Sequence, residues 1–187
     1  MRRKDREMDK EFAINLIDGS DYGVVSLVDK DNLPYAIPLS LVREGNFIYF
    51  HSALSGEKVD LLDLERRVSI VFVGQVKVPD LYSREELINL SKDEKNANLL
   101  VSTVFTTEFE SAIVMGRVSK IKDESDKIRI LKLICQKYTP DKMLLFDIGA
   151  QSGVDKVNIY RIEIEEITGK RKKFDSLGKE MKWMRKE

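Results

Sequence analysis

The sequence predicts a mainly β chain, folded as a small Greek-key-like barrel of about six or seven antiparallel strands with appended helices. Three observations point there. Short apolar runs alternate with polar residues and are divided by turn-rich segments. Helical periodicity is confined to a few places. The 187 residues suit one ordinary domain, which can bury roughly 70% of the surface its unfolded chain exposes.

Composition narrows the function classes. Charged residues make up 34% of the chain beside 42% hydrophobic ones, so the chain is globular but charge-rich. Lys plus Arg and Asp plus Glu both number 32, and this zero balance argues against a general nucleic-acid binder. One cysteine, Cys135, excludes an intrachain disulfide and Cys-rich structural zinc. One histidine, His51, excludes a multi-histidine metal site, so no metal is expected. There is no apolar run of membrane-spanning length, and the basic opening lacks the apolar stretch of a secretory signal. The location expected for such a chain is the cytoplasm.

Taken in order, residues 9–18 read as a short helix capped by Asp9, with Phe12, Ile14, Leu16 and Ile17 as its apolar stripe. Tyr22–Val28, Tyr35–Val42 and Phe47–His51 read as three strands joined in consecutive hairpins. Pro34 and Pro38 interrupt the second or place it at an edge. A helix follows Ser55-Gly56-Glu57-Lys58, with Ser55 as its cap, and a strand returns at Val68–Val73. Residues 77–98 read as an inserted loop with a helical turn near Arg84–Leu90. Leu99–Thr106 and Phe109–Ile121 look like strands. Asp123–Tyr138 is the clearest helix, acids early and lysines late as its dipole favours, with Ile128, Leu131, Ile134 and Cys135 toward the core. Cys135 reads as packing. Lys156–Ile167 makes a last strand with a phase slip at Tyr160-Arg161. Residues 169–187 form a basic tail, eight Lys or Arg against three acids, either solvated or reaching toward an anion.

One segment carries chemistry. Phe50-His51-Ser52-Ala53-Leu54-Ser55-Gly56-Glu57-Lys58 takes the chain from a strand through small residues into a helix start. The first N–H groups of a helix lack internal partners and carry partial positive charge. Small residues let a ligand approach them, and Lys58 adds a full charge, so the segment can cradle a phosphate. The same residues would also serve a plain capped helix with an exposed lysine.

Tyr35-Ala36-Ile37-Pro38-Leu39, then Ile48-Tyr49-Phe50-His51-Ser52-Ala53 and Gly56-Glu57-Lys58, resemble the flavin-binding proteins related to pyridoxamine 5′-phosphate oxidase. The opening Met1-Arg2-Arg3-Lys4-Asp5-Arg6-Glu7 is similar to the nitroimidazole-resistance (nitroimidazole reductase) branch, and Phe109-Glu110-Ser111-Ala112-Ile113-Val114-Met115-Gly116 to the family's later barrel strand. The resemblance implies a split β-barrel over residues 1–187, a homodimer, and FMN in clefts at its interface. It places Ala36, Ile37, Pro38 and Leu39 along the flavin ring, chiefly through backbone groups. It sets His51, Ser52 and Ala53 beside the flavin, Lys58 on its phosphate, and Ser111 reaching it from the other subunit. Glu57 stands where the oxidase proper has an arginine, and Trp183 and Arg185 do not reproduce the oxidase's C-terminal pattern. A carboxylate in place of that cation should weaken phosphate binding unless Glu57 points away, and the departures speak against a pyridoxamine phosphate substrate and for the nitroimidazole-type branch.

The implied activity is an FMN-dependent oxidoreductase passing electrons from NAD(P)H to a small, nitroaromatic-like substrate. The flavin would do the hard chemistry, and His51 is the candidate for handling a proton. Two alternatives stay open: a non-catalytic FMN or haem carrier, sensor or scavenger with His51 as the only imidazole ligand, and a nucleic-acid barrel using the basic tail.

Overall fold

Alternating apolar residues need a face to bury, and in this chain a single antiparallel sheet supplies it. The computed structural model describes residues 2–64 and 66–183. Met1 of the opening motif and Arg185, Lys186 and Glu187 of the tail lie outside the described residues. A short 3-10 helix, Lys4–Arg6, leads into β1 (Glu7–Met8) and α1 (Lys10–Gly19). The Asp9 carboxylate caps α1 by accepting the Phe12 N–H at 2.7 Å. Strands β2 (Gly23–Val28), β3 (Pro34–Leu39), β4 (Val42–Glu44) and β5 (Phe47–Ser52) follow, then α2 (Glu57–Leu62) and β6 (Arg67–Lys77). Next come α3 (Arg84–Leu90), α4 (Ala97–Thr103), the long β7 (Glu108–Ile121) and α5 (Glu124–Tyr138). A 3-10 turn (Pro140–Leu145), α6 (Phe146–Gly153) and β8 (Asn158–Lys172) complete the order. Among the described residues, no helix is long and apolar enough to cross a membrane.

The eight strands form one sheet in the order β3-β2-β6-β7-β8-β5-β4, with β1 paired to the end of β8. The two ends of that path, β3 and β4, are separated in the chain by only Ser40 and Leu41. A sheet whose ends are joined by two residues must curl until they meet, so it is a barrel closed by the chain rather than by hydrogen bonds. The split runs along the free edge of β3. Opposite it, β4 pairs only with Phe47–Tyr49 and leaves the end of β5 unpaired on that side.

This arrangement corrects the expected run of hairpins. The segment 35–42 is not one strand but two, at opposite ends of the sheet. Leu41 breaks it: its side chain is buried in the barrel core, and its carbonyl accepts from Lys137 Nζ and Tyr138 Oη instead of joining a ladder. Pro38 sits within β3 and is tolerated because β3 is an edge strand. The segment 99–106 is also corrected. It is mostly α4, a short apolar run whose period cannot separate strand from helix. The insert expected at 77–98 carries α3, closed by a Ser83–Glu86 capping box.

Two cores result. Val25, Ile48, Phe50, Ile70, Phe72, Val114, Tyr160 and Ile162 fill the barrel, with Ala13 and Ile17 of α1 closing one end. Each fully buried large side chain contributes roughly 1.5–3 kcal/mol. The second core lies outside the barrel wall, where Ile130 and Ile134 of α5 cover Tyr49 and Ile159. Ile130 is the most buried residue of α5, whereas Ile128 and Leu131 are only half-buried. Because α5 covers the start of β8, both faces of that strand are buried there, and no phase slip occurs at Tyr160-Arg161. The register instead shifts beside Glu165, between the pairs Met115↔Glu166 and Gly116↔Ile164. A Cβ on Gly116 would lie 2.4 Å from the Glu163 carbonyl oxygen, so this close approach requires glycine.

The described part of the basic tail, to Trp183, packs within the fold. Its first residues belong to β8, and Glu180 to Trp183 lie against the N-terminus. Arg6 binds Glu180 (2.6 Å), Lys182 binds Asp5 (2.8 Å), Arg171 binds Glu110 (3.0 Å), and the Trp183 ring lies 5.0 Å from the Arg171 guanidinium. Arg6, and after it Lys182, hold the Glu180 carboxyl down to about 2 against its ordinary 4.5. A depressed acid stabilises the fold fully above its ordinary value and progressively less as pH falls toward the folded one. Fluorescence of Trp183, the sole tryptophan, should therefore stay constant above pH 4.5 and change as pH falls toward 2. Glu180→Gln should give the altered signal already at neutral pH; a wild-type signal in that variant would show that the ion pair does not hold this part of the tail against the N-terminus.

Candidate functional site

Strand alternation decides which of the nominated side chains face outward. In β3, Ala36 and Pro38 point out, while Ile37 and Leu39 point toward the barrel and are half-buried. In β5, His51 points out, and Ser52 therefore points in, where its hydroxyl donates to the Ala53 carbonyl at 2.9 Å. Ser111 lies on the outer face of β7.

The outer residues of β3, β2, β6, β7 and β8 line up in rows. One row is Pro38, Val24, Val71, Ile113 and Thr168; the next is Ala36, Ser26, Ser69, Met115 and Glu166. Val73, Ser111 and Lys170 extend the face. It is small-to-apolar and uncovered: Val73 is 56% exposed and Ile113 41%. Its apolar part on β3, β2, β6 and β7 (Pro38, Val24, Val71, Ile113 and Val73), bordered by Glu166 and Lys170 of β8, suits a contact surface. Ala36, Pro38 and Ser111 share that face; His51 and Lys58 belong to the turn from β5 into α2.

That turn is pinned from below. Asn158, 7% exposed at the start of β8, donates its side-chain amide to the carbonyls of Ala53 (3.2 Å) and Leu54 (3.3 Å). Among the described residues all peptide bonds are trans. In a planar trans peptide the N–H points opposite to the C=O. With the two carbonyls drawn toward Asn158, the N–H groups of Leu54 and Ser55 are turned away from it, on the outer side of the loop. The cap of α2 is Gly56, in a conformation (φ +119°) that favours glycine, and not Ser55. Six residues make a weak dipole, so an anion here would rely on the loop amides and on Lys58 more than on the helix. Asn158 escaped the sequence reading. Its signal was a polar residue between Val157 and Ile159 at a strand start, because a buried amide must find partners.

Tyr160 anchors the other end of α2. Its hydroxyl donates to Asp63 at 2.7 Å, and Lys120 binds the second Asp63 oxygen at 3.0 Å. Burial pushes the Asp63 carboxyl up, but these two partners together bring it below the ordinary range. Burial, and after it the bond to Asp63, pushes the Tyr160 phenol up, so it remains a donor.

His51 sits between two environments. On one side, Lys58 is near enough for its charge to act on the imidazole. On the other, His51 forms part of the floor of an apolar cavity of about 460 Å³ bounded by α5, the Pro140–Leu145 turn and α6. Cys135 lines this cavity and is half-buried, so it is not the core packing expected from the sequence. Burial, then the Lys58 charge, lowers the His51 pKa below its ordinary 6.5, so the ring is neutral at pH 7. Above 6.5 the ring is neutral in folded and unfolded chains alike and contributes nothing; as pH falls below 6.5 the unfolded chain binds the proton first, so this group increasingly opposes folding until the folded ring is protonated too. As the only histidine, His51 gives an isolated imidazole signal in proton NMR. Its midpoint should fall below 6.5 and move upward in Lys58→Ala; a midpoint at or above 6.5 would place the ring in water.

A family model described as pyridoxamine 5′-phosphate oxidase matches residues 9–171. No curated protein matches the chain. Among solved structures, a candidate 5-nitroimidazole antibiotic resistance protein from Bacteroides thetaiotaomicron is 22% identical, with 88% of this chain and 86% of that one covered and a TM-score of 0.65. A flavocytochrome from Azotobacter vinelandii is 16% identical over 95% of this chain and 71% of its own, at a TM-score of 0.65. An FAD- and haem-binding protein from Mycobacterium smegmatis is 15% identical over 89% and 73%, at 0.69. At these identities the likeness is one of fold, and that fold is the split barrel expected from the sequence.

Proposed function

The chain belongs to the pyridoxamine 5′-phosphate oxidase family, and on that premise we propose that it is an FMN-binding oxidoreductase whose two flavin sites form between paired copies. The observation that carries this reading is the loop 53–56. Asn158 draws its carbonyls inward, which leaves amides turned outward a few residues before Lys58: together they would make a receptor for a phosphate ester from this chain's own atoms. The free edge of β3 offers backbone groups from Ala36 to Leu39 to a flat polar ring. The bare rows on β2, β6 and β7 would bury against a second copy, bringing Ser111 of one protomer toward the loop of the other.

A bound flavin supplies hydride and electron transfer, which no side chain here can supply. The protein's part is to orient that ring, exclude water through the pairing of sheet faces, and hold a neutral imidazole at His51 able to accept or return a proton at a ring nitrogen. A nicotinamide donor and a small nitroaromatic-type acceptor fit a site without a dedicated nucleophile. The cytoplasm suits such a chemistry. The ion pairs of Arg171 and Lys182 within the fold, beside the zero net charge, weigh against the nucleic-acid reading.

The visible spectrum of the purified protein, before and after adding FMN, tests the proposal. Flavin bands at one equivalent per chain are expected, together with a dimer in light scattering. Ile113→Asp should yield a folded monomer that retains little flavin. A colourless protein that ignores FMN would end this reading, and a haem Soret band would replace it with the carrier.

A further inference from the structure

The cavity beside His51 has features that neither the barrel nor the flavin reading requires. Gly149 and Gly153 lie one turn apart on the cavity face of α6. Glycine weakens a helix, and these two have no compensating structural reason: neither has a positive φ, and a Cβ on either would meet nothing within 4 Å. What they do is keep one wall flat and the space open. Cys135 faces that space from α5, and the Phe146 ring lines it from α6, polarisable and aromatic surfaces that favour a ring. Lys142 is the only charged group among the described lining residues, and no carboxylate joins it. His51 on the floor is neutral at pH 7. About 460 Å³ is within the size range of small-molecule pockets.

We propose that this cavity is a binding site for a flat, singly negative aromatic molecule, its ring held against the glycine wall of α6 near His51 and its anionic group at Lys142. The assignment goes beyond the flavin reading: apart from His51, none of the residues named for it is one that reading uses.

2-Naphthoate and the cationic 2-naphthylmethylammonium serve as probes by calorimetry on the full chain as isolated, with its visible spectrum recorded in parallel. Naphthoate should bind at one site per chain, shift the His51 NMR signal, and bind about tenfold or more tightly than the cation, as one charge-assisted contact allows. Lys142→Gln should remove most of that preference. Gly149→Leu, whose side chain enters open space, should abolish naphthoate binding while leaving flavin content and cooperative unfolding unchanged; Gly153→Leu provides the same test if the first variant does not fold. A colourless protein that still binds naphthoate in this pattern upholds the site and sinks the flavin proposal. Equal binding of the two probes, binding indifferent to both glycine variants, loss of flavin together with naphthoate in Gly149→Leu, or naphthoate splitting a dimer would each overturn the assignment. The last two outcomes would give the cavity to the flavin or to a second copy.

Discussion

Phe50→Ala should destabilise the chain by about 3–5 kcal/mol, more than most other single truncations. Phe50 is fully buried in the barrel, and its ring stacks on Tyr160 at a centroid distance of 5.2 Å and an interplanar angle of 19°. Three losses coincide on truncation: the transfer energy of the ring, the cavity it leaves, and the seat of Tyr160. The third reaches the candidate site. Tyr160 holds Asp63, Asp63 closes α2, and α2 carries Lys58. Phe50 is also the immediate neighbour of His51, at the end of a strand that β4 leaves unpaired on one side and that so depends on packing. Urea denaturation measures the effect. Phe50→Leu, which keeps part of the volume, should cost roughly 1–2 kcal/mol. Equal, small losses in both variants would mean that the barrel collapses around the void and that Tyr160 keeps its place without the stack.

Most of this architecture was legible because it follows from local chemistry. Asp9 announces its helix as a cap and accepts the expected backbone N–H, while Asp123, read as the first residue of the next clear helix, is its cap. The alternation in β2, β6 and β7 sorts residues between the barrel and the outer face as written. What was illegible depends on contacts distant in sequence. Nothing near Leu41 says that the strand must break there; the reason lies at Lys137 and Tyr138, almost a hundred positions later. The run Leu99-Leu100-Val101 is too short for its period to separate helix from strand. The start of β8 looked out of phase only because α5 covers its second face. The candidate site follows the same division. Lys58 and His51 were visible as a strand-to-helix turn with a cation. Asn158, which turns that loop's amides outward, lies over a hundred residues away and could only be suspected as a buried polar residue in search of partners. The cavity at His51 was unreadable, since its walls come from three segments whose glycines look like ordinary helix breakers.

Lys58→Ala should weaken FMN binding by about 1.5–3 kcal/mol, roughly ten- to a hundredfold, as expected when one charge-assisted contact to a phosphate is lost. The loss should fall at the upper end, because little else can compensate. The helix behind the loop has six residues, its capping residue is a glycine with no side chain to contribute, and the next position is the carboxylate of Glu57. Riboflavin, which has the ring but not the phosphate, separates this contact from a general distortion of the site. Its affinity should be nearly unchanged in Lys58→Ala, and the FMN affinity of the wild type should fall with salt more steeply than that of the variant. Lys58→Arg keeps the charge and should retain most of the affinity. The variant's His51 midpoint gives an independent reading of the same distance, since removing the ammonium must raise it if Lys58 stands where the fold puts it. An equal loss for FMN and riboflavin would mean that Lys58 shapes the loop instead of meeting the anion. Unchanged FMN affinity with a shifted His51 would move the phosphate elsewhere on the barrel, while leaving the placement of Lys58 intact.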